Sequence, residues 1–191
     1  MSRPAALLLS LACTLALIGQ AQARYRIPSA QETLGQSSVI VVGEVLEVSK
    51  QTYRVRIEQQ IAGPKKRLQG DLSVVRRPRT RLCVPQDPEG IAPGTRWVWV
   101  LEPTKAAKTY RSWIGCPYQV EKGKLSDRWG ASPQGTKSKL TLAEFTRAVE
   151  GLRRCYRFTK GKATRLAPIA EVEAFAASSP LAAKLVADLP R

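Results

Sequence analysis

The sequence predicts a mainly β fold, a small antiparallel barrel or sandwich of five short strands followed by a C-terminal helical extension. Three observations carry this: strand-like runs spaced by turn residues, the absence of any helix-period segment between them, and helix-period runs beyond residue 140. The first run, Val39 to Val48, is too rich in β-branched residues to be a comfortable helix, and Gly43 within it marks a bend or bulge. The second, Tyr53 to Glu58, alternates strictly, so Tyr53, Val55 and Ile57 share one face and Arg54, Arg56 and Glu58 the other. Gly63-Pro64 and a basic turn lead through Gly70-Asp71 to a third run, Leu72 to Arg77. A fourth, Trp97 to Leu101, is introduced by Pro93-Gly94-Thr95. The fifth, Tyr110 to Val120, carries Trp113, Ile114 and Cys116. Tyr53, Trp97 and Trp99 occupy positions that suit a core face.

The ordered set of Gly43, Tyr53, Gly63-Pro64, Gly70-Asp71, Cys83, Gly94, Trp97 and Cys116 resembles the netrin-like module, the OB-type barrel of the tissue inhibitors of metalloproteinases and of related bacterial secreted domains. The resemblance covers less than half of the chain and implies a five-stranded OB-type barrel over residues 24–125. OB-type barrels host many unrelated activities, so the resemblance speaks to fold before function. It would suggest proteinase inhibition, but those inhibitors present the amine and carbonyl of an N-terminal cysteine to a catalytic zinc. Here the expected mature chain begins Arg24-Tyr25 and has no cysteine before Cys83.

Residues 1–23 read as a signal peptide. Arg3 supplies a positive start, Ala5 to Ile18 an apolar core of the usual length, and Ala21-Gln22-Ala23 a small-x-small cleavage site. The apolar run falls short of the ~20 residues needed to span a bilayer. Ser10 stands where a lipoprotein signal ending at Cys13 would carry a large aliphatic residue. The expected mature protein is therefore periplasmic or extracellular, with no transmembrane segment and no access to cytoplasmic nucleic acid. Export also permits disulfides. Cys83, Cys116 and Cys155 survive cleavage, so three single bridges are possible and one thiol is always left over. The resemblance implies Cys83 with Cys116, leaving Cys155 as a buried small hydrophobe at a helix end.

Outside the strands, Ser29 and Glu32 form a capping box ahead of the barrel, and Thr141 and Glu144 form another. Behind the second, Leu142, Phe145, Val149 and Leu152 fall at helical spacing, giving a helix that ends near Arg153-Arg154 and packs on the barrel as part of residues 126–158. Within the preceding loop, Trp129 is expected to pack back on the barrel. Residues 159–191 read as a linker, Thr159 to Ala167, and two short helices opened by Pro168 and Pro180, a tail that docks or stays mobile.

The whole chain carries 31 Lys and Arg against 15 Asp and Glu and has no histidine. Lacking histidine, it lacks the most frequent general base, the usual zinc ligand and the partner of Ser-His and Cys-His nucleophiles. Paired glycosidase-like acids, a glycine-rich phosphate loop and a metal-ligand spacing are not discernible. The expectation is a non-enzymatic protein with no catalytic residue, metal or cofactor.

The positive charge is clustered. Lys50 to Arg81 holds ten basic residues against Glu58 and Asp71, and Arg153 to Arg165 holds six against none. Arg54, Arg56, Lys65, Lys66, Arg67, Arg76 and Arg77 are expected to form one basic wall that binds a polyanion, an acidic glycan or lipid phosphate of the envelope. The alternatives are a protein-binding or proteinase-inhibitor-like module and, further off, a single-stranded nucleic-acid binder of the OB type.

Overall fold

A computed structural model describes residues 29–76, 90–112, 118–125 and 140–191. The expected signal peptide, Arg77, Cys83, Trp113, Cys116 and Trp129 lie outside the described residues. The chain begins with helix α1 (Ala30–Gln36) and continues through β1 (Val39–Val48), β2 (Thr52–Ala62), β3 (Asp71–Val75), β4 (Arg96–Pro103), β5 (Thr109–Ser112), β6 (Tyr118–Glu121) and β7 (Lys124–Leu125). Helix α2 (Leu142–Cys155), the hairpin β8 (Tyr156–Thr159) and β9 (Lys162–Arg165), and helices α3 (Ile169–Ala177) and α4 (Pro180–Val186) complete it.

Strands β1, β2, β3, β5 and β4 pair in that order, and β4 returns to β1, closing a five-stranded barrel. All five contacts are antiparallel except β3 with β5, which is parallel. This is an OB-type barrel with a C-terminal helical extension. No helix among the described residues is long and apolar enough to cross a membrane.

Strands β1 and β4 read as unbroken apolar runs because both of their faces are covered. Val39, Val41, Val45, Trp97, Trp99 and Leu101 fill the barrel with Tyr53, Val55, Leu72 and Val74. Ile40, Val42, Val98 and Val100 face the opposite way, into a second cluster built by the helices. Over residues 53–58 strand β2 is covered only on the barrel side, so it alternates there: Tyr53 and Val55 are buried while Arg54, Arg56 and Glu58 are exposed, and only farther along does Ile61 enter the second cluster. Gly43 sits at a register shift between β1 and β2. A Cβ there would lie 2.5 Å from Val55 Cγ1 and 2.7 Å from the Arg56 carbonyl oxygen, so the close approach of the two strands requires glycine.

Helix α2 lays Phe145, Val149 and Leu152 into the second cluster, and Leu142 is half-buried beside them. Two expectations change here. The fifth run is two strands, β5 and β6. Leu101 of β4 pairs with Ser112, whereas Val98 pairs with Tyr118, three residues beyond where an uninterrupted strand would bring it. The linker expected at Thr159 to Ala167 is instead half of a hairpin, because Lys160 and Gly161, with φ of 48° and 78°, form a two-residue turn of the kind that matches strand twist. The tail is docked. Val172 and Phe175 of α3 and Leu181, Ala182 and Leu185 of α4 are buried in the same cluster as α2.

Candidate anion-binding site

The expected basic wall divides into two parts. On the barrel strands the guanidinium groups face carboxylates across the sheet: Arg54 Nε lies 3.3 Å from Glu47 and its Nη1 3.7 Å from Asp71, and Arg56 Nη1 lies 3.9 Å from Glu44. Arg96 and Glu58 add a two-pronged pair, with the shortest contact 2.6 Å. Cross-strand register explains the ladder, since Glu47 is directly opposite Arg54 and Glu44 opposite Arg56 on β1 and β2. Arg76 turns inward along the barrel end, its guanidinium 5.2 Å above the Tyr53 ring and its Nη1 donating to the Ser49 carbonyl. These arginines are spoken for.

Lys65, Lys66 and Arg67 are different. They stand exposed on the β2–β3 turn, away from the ladder. The turn is fixed by Gln60, whose side-chain Nε2 donates to the Pro64 carbonyl at 3.1 Å while its Oε1 accepts from Leu68 N–H at 2.9 Å. Gly70 then turns back at φ 77°, and its carbonyl accepts from Ile57 N–H. One glutamine side chain thus holds both ends of a cationic loop against the strand it came from.

The loop walls two cavities. One, about 510 Å3, has an apolar floor of Ile57, Leu68, Leu72 and Tyr110, with Lys66, Arg67 and Lys108 around it. The other, about 540 Å3, lies across Arg67 and Leu68 and is polar, lined by Glu58, Gln59, Gln60, Gln69 and Glu150. Lys108 comes from the turn between β4 and β5, where it adopts φ 51°. Its carbonyl accepts from Ser73 N–H at 2.9 Å, which pins the start of β5 beside β3. Asp71 is the acidic residue of the apolar cavity, and its carboxylate is engaged by Arg54.

Lys108 and Gln60 are the site residues that sequence reasoning missed. Lys108 is 41 positions from Arg67 in the sequence, and only the parallel pairing of β3 with β5 makes them neighbours. The barrel's strand order was the available signal, because it sets the β4–β5 turn beside the β2–β3 turn.

The second basic cluster also divides. Arg157, Lys160, Lys162 and Arg165 are exposed on the β8–β9 hairpin, while Arg153 is half-buried and engaged with backbone carbonyls of α1 and its C-cap. Cys155 is buried and unpaired at the end of α2, where burial pushes its thiol pKa up. The expected disulfide residues Cys83 and Cys116 fall outside the described residues. Neither the protein-family models nor the curated proteins contain a match to this sequence.

Proposed function

We propose that this chain is an exported, non-enzymatic binding module of netrin-like type that recognises an acidic component of the envelope, an acidic glycan or a lipid phosphate. The carrying observation is the division of charge on the barrel. The strand arginines are matched by Glu44, Glu47 and Asp71, whereas Lys65, Lys66 and Arg67 are exposed on a braced turn that faces Lys108 across a cavity. A surface selected only for solubility has no need to hold its cations on one loop beside a concave apolar floor. A ligand site does, since such sites combine an apolar lining with a few convergent polar groups.

Binding through exposed cations is salt-dependent, because charges in solvent are screened within ~8–10 Å at physiological ionic strength. Titration of a heparin oligosaccharide at rising salt tests the reading, with affinity expected to fall steeply. Against a nucleic-acid probe the slope reports the number of phosphates neutralised. The rival, a protein-binding module, is favoured by Leu166 and Ile169, which are 50% and 46% exposed beside the hairpin. It predicts a partner retained at high salt and lost when these two are made polar. Absence of polyanion binding at low salt would reject the charge reading.

A further inference from the structure

We infer that the apolar cavity beneath the β2–β3 turn holds the hydrocarbon chain of a lipid phosphate whose head group is bound by Lys66, Arg67 and Lys108. This rests on the reading of the turn as the anion site and names the class of ligand that site takes.

The cavity is amphipathic in the sense such a ligand requires. Its floor continues the barrel core outward: Ile57, Leu68 and Tyr110 pack against the interior cluster, and Leu72 is itself a buried member of it. Three cations lie around this floor, two from one turn and one from another, so a phosphate can be met from two sides. Glycan chains alone would leave the apolar floor unused. An acyl or alkyl chain uses it, and a cavity of about 510 Å3 falls within the ~300–1,000 Å3 typical of small-molecule sites.

Electrostatics place the head group on this side of the turn. Glu58 in the neighbouring cavity is held by Arg96, as Asp71 is by Arg54, but that cavity also carries Glu150, a second carboxylate facing a phosphate, whereas Asp71 is the single acid among the described residues of the apolar one. Arg67 lines both cavities and Lys66 and Lys108 only the apolar one, so the cationic end of the site and its hydrocarbon end coincide there. The braces that hold this geometry are independent of any ligand: the Gln60 side chain donates to the Pro64 carbonyl and accepts from Leu68 N–H, and Ser73 N–H donates to the Lys108 carbonyl.

Calorimetric titration of the mature protein with butyl, hexyl and octyl phosphate, each below its aggregation limit, tests the inference. Each buried methylene raises affinity by up to roughly fourfold, so affinity should climb along the series by at least about twofold per added methylene. Octanol, which lacks the charge, should bind far more weakly than octyl phosphate. Replacing Lys66 and Lys108 with Ser should weaken the three phosphates by a common factor, and Leu68→Asn should flatten the chain-length dependence. Equal affinity for butyl and octyl phosphate in the unmodified protein would overturn the inference. If heparin still bound in a salt-sensitive manner in that case, the polyanion reading would stand without it. A steep chain-length dependence with no heparin binding would leave the lipid site and remove the acidic-glycan reading.

Discussion

The guanidinium of Arg153, in the last turn of α2, donates from Nε to the Leu34 carbonyl at 2.9 Å and from Nη2 to the Ser37 carbonyl at 2.6 Å and its hydroxyl at 2.7 Å. Residues 119 positions apart are joined at the carboxyl end of α1, where the helix dipole favours a cation. Burial pulls the Arg153 pKa down to about 10, so the group remains charged at neutral pH and its desolvation is offset by these bonds.

Arg153→Met should therefore destabilise the fold. The buried Leu34 and Ser37 carbonyls would lose their donor, at about 1–3 kcal/mol for each group left unsatisfied. Arg153→Lys retains the charge without the planar fork and should fall between the two. Urea unfolding measures this, and an unchanged midpoint for Arg153→Met would show that the clamp contributes nothing.

At the other end of α2, Thr141 and Glu144 cap each other. Thr141 N–H and its hydroxyl both donate to Glu144 Oε2 at 2.8 Å, and Glu144 N–H donates to Thr141 Oγ1 at 3.2 Å. The backbone bond first, then the hydroxyl bond, hold the Glu144 carboxyl below its usual pKa. With the folded pKa below the unfolded one, the unfolded chain binds more protons between the two values. The stabilisation is complete above the ordinary glutamate range and disappears as pH falls through the lowered value. Thr141→Ala should lose about 1 kcal/mol at neutral pH. Part of that loss, the hydroxyl's share in the carboxylate bond, should vanish on acidification, so the gap between the two proteins narrows below about pH 4. A gap that widened on acidification would refute this.

Gly151 lies inside α2, where alanine would ordinarily favour the helix by ~0.8–1.0 kcal/mol. Here a Cβ would come within 2.3 Å of the Phe175 ring, on the helix that packs against it. Overpacking of a filled core costs about 1–3 kcal/mol, so the steric term wins and Gly151→Ala should lower the thermal midpoint. Combining it with Phe175→Leu should recover part of the loss, a coupling that a double-mutant cycle reads directly. A stabilised Gly151→Ala protein would mean that α3 does not rest on α2 as described.

The barrel was legible in the sequence because its strands carry their environment in their pattern. Strict alternation from Tyr53 to Glu58 marks a strand covered on one side, and the unbroken runs at Val39 and Trp97 mark strands covered on both. Both capping boxes were equally plain, since Ser29–Glu32 and Thr141–Glu144 are local chemistry. What was not legible depends on distance. The hairpin turn at Lys160-Gly161 lacks the Asn-Gly or Asp-Gly signature, and although the helices opened by Pro168 and Pro180 were plain, their docking was not, because each buries only a few side chains. The candidate site was half visible: the run Lys65-Lys66-Arg67 announces itself. The neutralisation of Arg54 and Arg56 follows from β1–β2 register, and the arrival of Lys108 from a strand pairing, neither of which is written in local sequence.

The most direct test of the account compares two charge-removal variants on one polyanion. In the first, Lys65, Lys66 and Arg67 are changed to Ser; in the second, Arg54 and Arg56 are. Exposed charge contacts are worth up to about 1 kcal/mol each, so the turn variant should lose about tenfold or more in affinity for a heparin oligosaccharide at low salt. The strand variant, whose arginines are matched by Glu44, Glu47 and Asp71, should lose much less. Equal losses in the two variants, or a larger loss from the strand pair, would contradict the assignment of anion binding to the β2–β3 turn.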